Sequence, residues 1–130
     1  MIVAHGGLAG EYLLAMEHVV GKCDATRAVS ILATDDLDLK RIEICQAVND
    51  VDTGGGVVVV VDMFGGTPSN LAIKACGPGQ RKVLYGANLP MLVKLAKSRN
   101  MSLDDSVQCA RDAGRKYLDS MQPNAGKTNK

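Results

Sequence analysis

The chain has no Trp and a single Phe, Phe64, beside three Tyr. With so few aromatic rings to stack on bases, a platform for single-stranded nucleic acid is excluded. Neither sign of charge dominates: the formal net charge is +1, so no long-range field draws the chain to a polyanion or an anionic lipid surface. Paired cysteines are also missing. Cys23, Cys45, Cys76 and Cys109 are scattered, without the close spacing of a zinc knuckle or a redox dithiol. The start, Met1-Ile2-Val3, lacks a signal-peptide pattern, and the longest apolar run is far short of a bilayer span. The expectation is a cytoplasmic protein whose thiols are reduced and buried. A GxxxxGK[ST] loop is absent, which argues against direct binding of a nucleoside triphosphate.

What is present suits one globular unit. The 130 residues are 46% apolar and 22% charged, a balance that supports a single core. The polar ending "QPNAGKTNK" reads as a flexible tail, so residues 1–121 are expected to form one domain and 122–130 to trail from it. Ile2 to Ala4 is a short strand. Leu8 to Val20 then carries Leu8, Tyr12, Ala15, Met16 and Val19 at helical spacing and is closed by Gly21, leaving His18 facing solvent. Ala28 to Leu32 is a second strand, followed by a helix that Asp35 or Asp36 can cap and that buries Leu39, Ile42, Cys45 and Val48. Gly54-Gly55-Gly56 ends that unit.

Val57 to Val61 is five β-branched residues without alternation, the pattern of a central strand covered on both faces. After Gly65-Gly66, Thr67 can cap a helix with Pro68 at its first position, burying Leu71, Ile73 and Ala75 or Cys76. Lys82 to Tyr85 is a fourth strand, and "GANLPML" leads into a helix over roughly Pro90 to Ser98, with Leu89, Met91 and Leu92 packing into the core. Ser102-Leu103-Asp104-Asp105 opens a last helix with Val107, Cys109 or Ala110, Ala113 or Gly114, and Tyr117 inward; Lys116 to Met121 also reads as helix.

Strands alternating with helices in this way predict an α/β doubly wound fold, with a mostly parallel sheet of four or five strands and helices on both faces. Such sheets collect small ligands at the carboxyl ends of the strands, near the reversal of strand order. The first polar residues at those ends are His5, Asp62 and Asn88.

A carboxylate closing a buried strand needs a partner. His5 is one candidate for Asp62, since an imidazole that donates from one nitrogen to a carboxylate keeps the other free as a nucleophile. The alternative is an Asx-type turn in which Asp62 accepts the backbone N–H groups of Phe64 to Gly66. His5 is equally readable as incidental to a tight "HGG" turn. Each of the two residues is followed by a double glycine and a helix, which favours a site. Gly65 and Gly66 allow close backbone approach, Thr67 offers a hydroxyl beside the amides of a helix start, and Gly6 and Gly7 do the same behind His5. A histidine nucleophile beside an anion cradle suggests phosphoryl transfer.

These residues carry a resemblance. "AHGGLA" from Ala4, "DMFGGTPSNLA" from Asp62 and "GANLPML" from Gly86 resemble the enzyme IIA component of the mannose/fructose class of the bacterial phosphotransferase system, over about residues 1–120. The phosphotransfer subunit of dihydroxyacetone kinase also begins with a strand and a histidine, but "FGGTPSN" and "NLPML" are closer to the sugar-transport branch.

The resemblance implies a phosphotransferase in which His5 accepts a phosphoryl group from phospho-HPr and passes it to a IIB component. In that scheme Asp62 pairs with His5, and Gly65, Gly66 and Thr67, with Gly6, hold the phosphate. Phe64, Asn88 and Pro90 would shape the partner surface. It implies no cofactor and no metal, a homodimer, and contact with a membrane permease only at the periphery. A regulatory protein whose phosphorylation state controls a partner is the alternative implication. The family has more apolar residues ahead of the histidine, so the first strand here is expected to be short, with a bearing on stability.

Overall fold

A computed structural model describes residues 1–75, 77 and 79–124. Four strands and five helices alternate: β1 (Ile2–His5), α1 (Leu8–Val20), β2 (Ala28–Ile31), α2 (Leu37–Val51), β3 (Val57–Val61), α3 (Thr67–Ala75), β4 (Arg81–Tyr85), α4 (Leu89–Ala96) and α5 (Leu103–Lys116). The strands form one parallel sheet in the order β2-β1-β3-β4. The chain winds outward from β1 to β2, then returns to β3 on the other side of β1. The reversal therefore falls between β1 and β3, whose carboxyl ends carry His5 and Asp62.

The uninterrupted valines of β3 follow from helices on both faces. Val57, Val59 and Val61 join Val3, Val29 and Ile31 in a core closed by Ile44, Ala47, Val48 and Val51 of α2 and by Leu71, Ala72 and Ala75 of α3. Val60, with Ile2 and Ala4, faces the opposite way, onto Ala9 and Met16 of α1, Met91 and Leu92 of α4 and Ala110 of α5. Each face of a strand thus has an apolar partner, so no polar residue is required at alternate positions. Although β1 is only four residues long, Met1 is buried at its head and its carbonyl accepts from Val60 N–H at 2.7 Å, which extends the pairing with β3.

Several helix faces differ from expectation. Asp36 caps α2, its side chain accepting from the N–H groups of Asp38 and Leu39, but Leu39 is 65% exposed and Ile42 46%. The buried stripe is Ile44, Ala47, Val48 and Val51, a complete i, i+3, i+4, i+7 set, and Leu39 and Ile42 lie off it. In α1 the buried residues are Ala9 and Met16, while Leu8 and Val19 are exposed. In α3 Ile73 is exposed, and Pro68, Leu71, Ala72 and Ala75 face the sheet. Cys76 lies outside the described residues. Cys23, Cys45 and Cys109 are free and half-buried rather than buried.

Ser102 caps α5 by accepting from Asp105 N–H, and Ser106, Ala110 and Gly114 line its inner face. The helix stops at Lys116; the following residues through Met121 are not helical, and Tyr117, expected inward, is 67% exposed. Of the expected tail, residues 125–130 lie outside the described residues.

Candidate functional site

The reversal point brings His5 and Asp62 into direct contact. Asp62 Oδ2 lies 2.7 Å from His5 Nδ1 and also accepts the His5 backbone N–H at 3.0 Å, while Oδ1 accepts Met63 N–H at 3.0 Å. The carboxylate is thus bonded across the β1–β3 boundary and to its own neighbour; among the described residues it takes no bond from the amides of Phe64 to Gly66. Burial of the Asp62 side chain pushes its pKa up, but the His5 backbone N–H, the His5 ring and its charge, and Met63 N–H outweigh this and hold it below the ordinary carboxylate value. An ionised carboxylate can only accept, so Nδ1 carries the proton and the neutral ring keeps its lone pair on Nε2. The His5 side chain is 49% exposed, that of Asp62 only 11%.

Gly66 lies against the free edge of the ring. A Cβ added there would stand 3.1 Å from His5 Cε1 and 3.4 Å from Nε2, which reserves the space beside Nε2. Gly65, at φ +88°, makes the turn that brings Gly66 there, a conformation that few side chains tolerate. Thr67 is the first residue of α3 rather than its cap, since Gly66 supplies the carbonyl that accepts Asn70 N–H. It is exposed beside a helix start whose first amides have no acceptor within the helix, apart from Pro68, which has no N–H.

The N–H of Gly6, a residue expected beside the phosphate, donates to Ile31 O at 2.8 Å, continuing the sheet toward β2. Its contribution is conformational, a turn at φ +55° that ends β1.

Asn88 is also committed to structure. Its Oδ1 accepts Met91 N–H at 3.0 Å as the cap of α4, and its Nδ2 donates to Gly114 O at 3.3 Å and Gly86 O at 3.4 Å, tying α4 to α5. Pro90 occupies the first turn of α4 and is half-buried; Met91 and Leu92 are buried as expected, and Leu89 is 36% exposed.

Phe64 is exposed, its ring 5.0 Å from that of Tyr85 at 47°. Tyr85 was not singled out by the sequence, although as the last residue of β4 it stands at the carboxyl edge where ligands collect. With Met63 it adds exposed apolar surface at this edge. Among the described residues no three His, Cys, Asp or Glu side chains cluster closely enough for a metal ion, and no helix is long and apolar enough to cross a membrane.

Comparison with known proteins points the same way. Residues 1–110 match the EIIA-man family model, described as PTS system fructose IIA component. The chain is 26% identical over 125 residues to the PTS system mannose-specific EIIAB component of Escherichia coli K12. That match covers 94% of this chain and 39% of the relative, so the chain spans about two-fifths of the length of the curated relatives it matches.

Two solved structures are similar in fold and sequence. The phosphotransferase system component EIIA from Streptococcus agalactiae superposes with a TM-score of 0.82 at 26% identity, covering 92% of this chain and 93% of that one. The mannose/sorbose-specific IIA subunit from Enterococcus faecalis gives 0.81 at 28% identity, covering 93% and 92%. By its sequence match and its fold, the chain belongs to the EIIA-man family of phosphotransferase-system IIA components.

Proposed function

We propose that this chain is a cytoplasmic phosphocarrier of sugar uptake, in which His5 accepts a phosphoryl group from phospho-HPr and passes it to a IIB component. The observation that carries the reading is the His5 Nδ1–Asp62 Oδ2 pair at 2.7 Å, with Nε2 left facing the space that Gly66 keeps open. The Nε2 lone pair attacks phosphorus in line. As the new N–P bond forms, the N–P bond of phospho-HPr breaks and its electron pair returns to the HPr imidazole. The His5 ring takes up positive charge during this step, and the Asp62 carboxylate stabilises it. Amides at the start of α3 and the Thr67 hydroxyl hold the equatorial oxygens.

The half-exposed ring suits a group that must meet two proteins in turn. Phe64, Met63 and Tyr85 provide apolar surface for both encounters, and Asn88 and Pro90 act by fixing the start of α4. The chain works as a homodimer, a reading supported by the exposed Tyr117, Leu118 and Met121 after α5.

The test is incubation with phosphoenolpyruvate, enzyme I and HPr, followed by mass measurement and addition of a IIB component. The expected result is an acid-labile gain of one phosphoryl group, absent in His5→Ala, that moves to the IIB component. Labelling of His5→Ala would refute the site. Labelling that no IIB component can discharge would turn the reading toward control of a partner by phosphorylation.

A further inference from the structure

Among the described residues two buried side-chain polar atoms lack a hydrogen-bond partner, Ser69 Oγ and Arg81 Nε. The Arg81 guanidinium is already bonded to Asp52 and Asn49. Ser69 has no such tie: the residue is 0% exposed, so neither the fold nor bulk water satisfies its hydroxyl.

The backbone of the same residue is unpaired as well. Ser69 is the third residue of α3, where an N–H has no acceptor within the helix. At that position Asp36, Asn88 and Ser102 accept the N–H of Leu39, Met91 and Asp105 for α2, α4 and α5. Gly66, which caps α3, has no side chain to do so, and its carbonyl is taken by Asn70 N–H. A buried donor without an acceptor is costly, and two in one residue point to an acceptor that comes from outside the chain.

Both donors are directed to one place. Helical N–H groups and Cα–Cβ bonds lean toward the amino end of the helix, so those of Ser69 face the Gly65–Gly66 turn. Gly66 in turn borders the reacting edge of the ring, since a Cβ there would stand 3.4 Å from His5 Nε2.

We infer that Ser69 is a phosphate-binding residue: its N–H and hydroxyl take an oxygen of the phosphoryl group on His5 Nε2, on the side turned away from solvent, while exposed Thr67 meets an outer oxygen. The inference rests on the phosphocarrier reading and adds a direction to it. A residue shifts an equilibrium only by what it bonds in one state and not in the other. Two donors left unpaired before transfer and bonded after it therefore favour the phosphorylated chain. An oxygen held there is also out of reach of water, which slows hydrolysis of the N–P bond.

The test is the equilibrium of the phosphoryl group between HPr and the full chain, read by phosphorus NMR, with urea unfolding of the unphosphorylated protein alongside. Ser69→Ala removes a hydroxyl that bonds nothing before transfer. It is expected to leave the urea midpoint unchanged or raised, and to hasten hydrolysis. It is also expected to shift the equilibrium toward phospho-HPr about tenfold, the scale of one hydrogen bond to a charged oxygen. In the wild type the Ser69 amide proton is expected to move downfield on phosphorylation.

A lowered urea midpoint or a lost fold in Ser69→Ala would mean a hydroxyl bonded within the fold, and would overturn the inference. So would an unchanged phosphoryl equilibrium, or a Ser69 amide proton that stays in place in phosphorylated wild type. A wild type that takes no phosphoryl group at all would instead overturn the phosphocarrier reading itself.

Discussion

Two carboxylates at opposite ends of one strand face nitrogen donors at the same distance, and they do different things. Asp62 Oδ2 stands 2.7 Å from His5 Nδ1, and Asp52 Oδ2, just ahead of β3, stands 2.7 Å from Arg81 Nη1. Asp52 also accepts Gly54 N–H at 2.9 Å and Gly56 N–H at 3.4 Å, while Arg81 reaches Asn49 Oδ1 at 3.3 Å. Gly56 cannot be replaced there, because a Cβ would sit 2.8 Å from Gln80 O.

The contrast lies in the partners. Arg81 is permanently charged and 8% exposed, so its pair is a clamp on the starts of β3 and β4. His5 is half exposed and bonds Asp62 through one ring nitrogen only, so its pair can orient a reacting nitrogen. Distance alone does not separate a structural pair from a chemical one; the exposure of the partner and the nitrogen it leaves free do.

The sharpest way to break this comparison is to remove charge from Asp62 without changing its shape. Asp62→Asn is expected to slow phosphoryl transfer on the order of a hundredfold while keeping a cooperative unfolding transition, measured by rapid-quench labelling and calorimetry. An unfolded Asp62→Asn would make this pair a clamp as well. Gly66→Ala is expected to slow labelling about tenfold, because its Cβ would crowd Nε2 without straining the backbone. Gly65→Ala separates the two glycines: at φ +88° it should cost about 1 kcal/mol of stability, read by denaturant unfolding.

At the other end, Arg81→Met is expected to lower Tm by about 5 °C and leave the labelling rate unchanged. The smallest effect concerns pH. The Gly54 N–H and Arg81 hold Asp52 below its ordinary value, so its contribution to stability is present above about pH 4 and is lost as pH falls through the lowered value. Asp52→Asn should therefore flatten the acid limb of the stability profile, measured by urea unfolding between about pH 5 and 2.

Much of this was legible in the residues. The five valines of β3 required cover on both faces, and strand-helix alternation required a parallel sheet with a reversal point, which put His5 and Asp62 at one edge. What the sequence left open was which hydrogen bond Asp62 makes, since an Asx turn and a bond to His5 leave the same residue pattern. Helix faces were misread where Ile42, Val19 and Ile73 lie off the stripe that meets the sheet; their apolar character suggested burial, but Ile44, Met16 and Leu71 mark the inner faces. Tyr85 escaped because it reads as one more strand residue until β4 is placed beside β3. Gly6 and Asn88 were placed at the right edge, but their polar groups turned out to be bonded within the fold.

The central claim is that Asp62 holds Nδ1 so that Nε2 reacts. Long-range 1H–15N NMR of histidine-labelled protein, phosphorylated through HPr, reads directly which ring nitrogen carries phosphorus. The account predicts phosphorus on Nε2 of His5, with Nδ1 still protonated. Phosphorus on Nδ1, or on His18, would contradict it.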